Sequence, residues 1–92
     1  MRLQYSDAAR EQLNAIGEYI GHDSPIIARI VLSRIRAAAN RLTTFPQSAP
    51  KGSAPKTREM TVRGLPYVIV YELRSRPKSI MVLNVFHAAQ DR

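Results

Sequence analysis

The chain opens on Arg2-Leu3-Gln4-Tyr5, where polar and apolar residues alternate, and this predicts a short first strand. Ser6 or Asp7 then suits a helix N-cap. The helix it starts runs to about Ile20, with Ala9, Leu13, Ile16 and Ile20 as its apolar stripe. Gly17 lies in mid-helix, where glycine costs up to ~1 kcal/mol against alanine, so close approach of a neighbouring helix is expected there. Gly21-His22-Asp23-Ser24-Pro25 predicts a break, with Gly21 in a left-handed C-cap position, Ser24 as the next N-cap and Pro25 at the first helical position. The second helix runs to about Leu42 on a stripe of Ile27, Val31, Ile35, Ala38 and Leu42, flanked by Arg29, Arg34, Arg36 and Arg41. So short a connection predicts an antiparallel helix hairpin.

Phe45-Pro46 closes the helical region, and Gln47 to Lys56, with Pro50, Gly52 and Pro55, reads as a loop long enough to be mobile or functional. From there the period is two. Thr57–Val62, Tyr67–Leu73 and Ser79–His87 read as three strands joined by turns at Arg63–Pro66 and Arg74–Lys78, an antiparallel meander. The middle strand, almost wholly apolar, should be central. The order is β-α-α-β-β-β. The helix hairpin must cover one face of a small, mainly antiparallel sheet, giving an α+β two-layer domain. Leu13, Ile16, Ile35, Leu42, Tyr67 and Ile69 are the expected core. Strict alternation in the last strand sets His87 on the side of Met81, Leu83 and Val85.

At 92 residues the chain has room for one domain, 1–92, and one core. The absence of cysteine removes disulfides, thiolate metal sites and cysteine nucleophiles, and fits a reducing cytoplasm. No apolar run approaches the ~20 residues of a membrane helix, and the first residues lack the apolar stretch of a signal peptide, so a cytoplasmic protein without a membrane partner is expected. The net charge is +7, concentrated between Lys51 and Lys78, where seven basic residues stand against Glu59 and Glu72. Such a surface attracts polyanions, whether nucleic acid or an acidic protein segment.

Little of this sequence points to catalysis. His22 reads as a solvated turn residue. His87, at a strand end, can act as acid, base or phosphate donor, or can simply be held by backbone. No third ligand stands at a metal-like spacing from the two histidines, and no cofactor is implied. Arg58 and Glu59 lie on opposite sides of their strand, and Tyr67 and Tyr71 share a face with Ile69 and Leu73. No Ser-His-Asp set and no close acidic pair suggests hydrolysis.

The order of short motifs adds more. Ala9, Leu13, Ile16 and Tyr19-Ile20 in the first helix, Ser24-Pro25, Ile35, Leu42 and Phe45-Pro46, Arg58-Glu59, Leu65-Pro66-Tyr67 leading into Val68–Tyr71, and the tail Val85-Phe86-His87-Ala88-Ala89-Gln90-Asp91 together resemble the RelE/ParE superfamily of type II toxin–antitoxin toxins, in particular its ParE branch. The resemblance covers nearly the whole chain. It departs at Ala49-Pro50, where many relatives carry Gly-Arg, and at Asn84, where many carry arginine.

The resemblance implies a non-catalytic toxin that binds DNA gyrase and is neutralised by a cognate, ParD-like antitoxin in a hetero-oligomer. Its alternative is a ribosome-dependent mRNA endoribonuclease of the RelE type, which would use Arg58, Tyr71 and His87. The expected target surface is Arg58, Arg63, Arg74, Arg76, His87, Gln90, Asp91 and Arg92. The expected antitoxin surface is Ile26, Ile30 and Arg34.

Overall fold

The structure, a computed structural model, describes residues 1–89. The elements are β1 (Arg2–Tyr5), α1 (Asp7–Asp23), α2 (Pro25–Arg41), β2 (Thr57–Thr61), β3 (Tyr67–Ser75) and β4 (Lys78–His87), in the anticipated β-α-α-β-β-β order. The sheet order is β1-β4-β3-β2. The last three strands form the antiparallel meander, and β1 lies parallel to β4 at the sheet edge. The first and last strands are therefore neighbours, and the helix hairpin carries the chain from β1 at one edge of the sheet to β2 at the other.

Two serines organise the helices. Ser6 is the N-cap of α1: its hydroxyl accepts the Ala9 N–H at 3.0 Å and donates to the Leu83 carbonyl at 2.8 Å. Ser24 ends α1, its N–H donating to Ile20 O, and starts α2 by accepting the Ile27 N–H at 3.2 Å. Here the sequence expectation needs correction. Gly21 is not a left-handed cap; α1 runs on through Gly21 and His22 to Asp23, because Ser24 supplies the stop and the start in one residue. Gly17 behaves as expected: a Cβ there would stand 2.9 Å from Leu32 Cδ1, so the helices meet at this glycine.

The core is Ala9 and Leu13 of α1, Val31, Ile35 and Ala39 of α2, Leu42, and the inward residues of the sheet, Ile69, Tyr71, Ile80, Val82 and Val85 among them. Of the expected core, Leu13, Ile35, Leu42, Tyr67 and Ile69 are buried and Ile16 is half-buried against them. Ile27 is the error in the α2 stripe: it is 53% exposed, and the smaller Ala28 and Ala39 take the buried positions. Small residues face inward where the backbones approach closely, so side-chain size misleads about the buried face.

One irregularity sets the geometry of β4. Val70 pairs with Asn84 but Tyr71 pairs with Val82, so Leu83 is an extra residue in the ladder. The bulge shifts the phase of the strand. Ile80, Val82 and Val85 are all buried in the core, and His87, two residues past Val85, falls on their side rather than on that of Met81 and Leu83. On the other flank of β4, four-residue β1 ends early. The Ser6 N–H still reaches Val82 O at 2.9 Å. Beyond it α1 side chains take over: the Ser6 hydroxyl binds Leu83 O, Gln12 Oε1 accepts the Val85 N–H at 2.7 Å, and Gln12 Nε2 donates to Asn84 Oδ1 at 3.2 Å.

The 47–56 segment is pinned rather than loose. Glu59 N–H donates to Pro50 O, Gly52 N–H to Thr57 O, and Lys51 bridges to Arg58, so the segment pairs along the outer edge of β2.

Two outcomes follow. Ile35→Ala and Leu13→Ala should each lower unfolding free energy by ~2–5 kcal/mol, whereas Ile27→Ala should stay within ~0.5 kcal/mol; denaturant midpoints decide it. Gln12→Ala should cost about 1–3 kcal/mol by stranding the Val85 N–H, and should lower hydrogen-exchange protection at Val85 before it does so at Ile69.

Candidate functional site

The candidate residues occupy separate places. Arg58 and Tyr71 are register partners on β2 and β3. Both are engaged in structure. Tyr71 is fully buried and donates its hydroxyl to Pro46 O at 2.9 Å; Arg58 Nη1 donates to Ala49 O at 2.6 Å. Burial pushes the Tyr71 phenol above its ordinary range, opposed by a backbone bond from Ala49 and by the Arg58 charge. Between them they hold down Pro46–Ala49, and Ala49 is itself part of the core. Glu59 works on the far side of the same segment, accepting the Ser53 N–H at 3.1 Å and its hydroxyl at 3.2 Å.

His87 stands elsewhere. It pairs with Tyr67, four residues before Tyr71 on the same strand, a separation of about 13 Å at the rise of a β-strand. The Ala89 N–H donates to His87 Nδ1 at 3.1 Å, which sets the proton of the neutral ring on Nε2. The ring meets Tyr67 edge-on, with centroids 5.5 Å apart. Both border a cleft of about 600 Å³ between α1 and the ends of β3 and β4. Gln12, Ala15, Ile16 and Tyr19 form its helical wall, at spacings that fall on one face of α1. Burial, with Tyr19 nearby as a smaller cause, raises the Tyr67 phenol above its ordinary range. Tyr19 itself is 81% exposed. Sequence reasoning did not single out Gln12 or Tyr19 as functional. The available signal was an aromatic residue one place off the apolar stripe of α1, where nothing buries it.

The basic residues divide between the two ends of the sheet. Arg63 lies in the β2–β3 turn, at the His87 end; the Arg34 guanidinium reaches across from α2 to donate to Arg63 O at 2.6 Å. Arg74 and Arg76 lie at the β3–β4 hairpin, at the opposite end, Arg74 paired with Glu72 at 2.6 Å. Ile26 and Ile30 are exposed on the outer side of α2, 63% and 53%, one turn before Arg34. Farther along, the outer side of α2 faces β2 across a groove bordered by Ala37, Leu42, Phe45, Met60 and Val62. His22 is exposed in the last turn of α1 rather than in a connecting turn. Gln90, Asp91 and Arg92 lie outside the described residues. Among the described residues no three acidic or histidine side chains are grouped to hold a metal ion, and no helix is long and apolar enough to cross a membrane.

With this geometry in place, similarity to known proteins becomes informative. The family model for the ParE toxin of the type II toxin–antitoxin system parDE matches residues 3–92. "Putative toxin Y4kP" of Sinorhizobium fredii (strain NBRC 101917 / NGR234) is 34% identical over 89 residues, 97% of this chain and 90% of the relative. Two solved structures share the fold. A chain of the chromosomal ParDE system from P. aeruginosa superposes with a TM-score of 0.81 at 22% identity, covering 95% of both chains. The isolated E. coli RelE toxin superposes with a TM-score of 0.71 at 14% identity, covering 99% of this chain and 87% of RelE. A family match over almost the entire chain, together with a relative of similar length at this identity, places the protein: it belongs to the ParE family, the toxins of type II toxin–antitoxin systems.

Proposed function

We propose that this type II toxin acts in the cytoplasm by binding and inhibiting DNA gyrase, not by cutting RNA. The observation that carries the reading is the dispersal of the nuclease candidates. Cleavage at a 2′-hydroxyl needs a base, a cation for the phosphate and an acid for the leaving oxygen within reach of one bond. Arg58 and Tyr71 are bound to loop carbonyls, His87 is about 13 Å away along the strand, and the Asn84 amide is held by Gln12. Binding needs no such convergence. The target surface is the end that carries Arg63, His87 and the segment leading to Gln90, Asp91 and Arg92, with the Tyr19–Tyr67 cleft as its anchor. An exposed tyrosine such as Tyr19 beside a cleft is a favoured anchor for a partner side chain. Arg58 then serves the target only by holding the Pro46–Ala49 segment in place.

The antitoxin is the second partner. The ParDE system of P. aeruginosa and the RelBE complex of E. coli, a chain of which superposes here with a TM-score of 0.72, are both toxin–antitoxin assemblies. For this chain, Ile26, Ile30 and Arg34 offer a stripe one helical turn apart, apolar then cationic, which suits an amphipathic helix with acidic flanks. The groove from Ala37 to Phe45 continues that surface toward β2.

Two measurements test the reading. Purified toxin should block supercoiling by gyrase while leaving mRNA intact in a translating ribosome mix, and Tyr19→Ala, an exposed change, should weaken the block about tenfold or more. Codon-dependent mRNA cuts that vanish in His87→Ala would overturn it in favour of a ribonuclease. For the antitoxin, a tail peptide at about 100 times its Kd stabilises the toxin by about 2.7 kcal/mol, a Tm rise of roughly 10–20 °C for a domain this size. Ile26→Asp with Ile30→Asp should abolish that rise; an unchanged Tm with the natural toxin rejects the surface.

A further inference from the structure

The hairpin end of the sheet gathers cations from distant parts of the sequence. The parallel pairing of β1 sets Arg2 opposite Ser79, and the antiparallel pairing of β3 sets Arg74 opposite the same residue. Arg2 and Arg74 therefore flank β4 on one face of the sheet, two strand spacings or about 10 Å apart. At the next position Ile80 pairs with Leu3 and Leu73 and joins them in the core under the helices, so by alternation the Arg2–Ser79–Arg74 rank is on the opposite face, with the small Ser79 buried between the two arginine positions. The ladder runs out to Ser75–Lys78, leaving Arg76-Pro77 as the turn. Arg2, Arg74, Arg76 and Lys78 are all exposed. Glu72 is the acidic residue of this rim, already joined to Arg74, and no acidic residue occurs between Leu73 and Ala89.

We propose that this rim grips the phosphodiester backbone of duplex DNA without reading its bases. Neighbouring cations in it lie within about a Debye length (~10 Å) of one another, so their fields overlap on a polyanion. Three of the four are arginines, whose planar fork matches phosphate oxygens. The rim lacks what other partners require. No aromatic residue lies in Met1–Gln4 or in Leu73–Leu83, so unpaired bases have no stacking platform and a buried protein anchor is missing. The cleft with Tyr19 and Tyr67 is at the other end of the sheet. The proposal stands whether or not gyrase is the target, because it is read on DNA alone.

The test is fluorescence anisotropy of the whole chain on labelled DNA of about 20 base pairs, between about 50 and 200 mM salt. A triple variant, Arg2→Gln, Arg74→Gln and Arg76→Gln, is compared with a charge-matched one on α2, Arg29→Gln, Arg36→Gln and Arg41→Gln. The rim variant should lose about tenfold or more in affinity and make the salt slope shallower by about 2.7, three contacts at ~0.9 each; the α2 variant should lose less than about threefold. If the rim triple melts early, Arg76→Gln alone should still change the slope by about 0.9. Equal losses in the two triples, no binding of the DNA duplex, or tighter binding to a single strand or an RNA duplex of the same length overturns the proposal.

Discussion

The fold depends on how β4 is satisfied along its first-strand flank. β1 supplies four residues against the ten of β4, so more than half of that flank has no strand beside it. Buried main-chain groups without partners would cost about 1–3 kcal/mol each, enough to threaten a domain of this size. α1 makes up the shortfall through Ser6 and Gln12, one hydroxyl and one amide that reach Leu83, Asn84 and Val85. The bulge at Leu83 and the start of α1 are thus one device. The helix cannot slide along the sheet without breaking those bonds, and its outer turn, with Ala15 and Tyr19, is set over the His87 end as a result.

Much of this was readable in the chain. Alternation at Arg2–Tyr5, the serines at 6 and 24, the proline at 25 and the β-branched run at Tyr67–Leu73 carry local signals strong enough to place their elements. The failures have physical causes. Ile27 looks like core on hydropathy alone, but α2 turns Ala28 inward against Gly21 of α1, where the two helices meet closely, and closeness is a tertiary property. Gly21 looks like a terminator, yet a helical glycine is tolerated when a residue three places on caps both helices. His87 changed sides because one added residue at Leu83 inverts everything after it, and no residue type announces a bulge. The pairing of β1 with β4 is the least visible feature, since it joins the two ends of the chain.

The candidate site was less legible than the fold. Arg58 and Tyr71 stood out by type and do lie together, but their hydrogen bonds go to Pro46 and Ala49, so their chemistry is absorbed in anchoring a loop. His87 was identifiable; its companions Gln12 and Tyr19 were not, because they come from a helix whose phase over the sheet is decided by the Gln12–Val85 contact. A run of basic residues could be counted in sequence, but its division between two ends of a sheet could not.

The single-residue joint at Ser24 carries a consequence for how such chains can diverge. With one residue closing α1 and opening α2, the rotational phase of the second helix is locked to that of the first. One inserted residue ahead of Ala28 would turn α2 by about 100° about its axis and swing Val31 and Ile35 out of the core. Length changes during evolution are therefore expected to be excluded from the helical elbow and to accumulate at Ala54–Lys56, an exposed stretch between α2 and β2 whose side chains take no part in the core, which makes that stretch a natural place to splice in a tag or reporter.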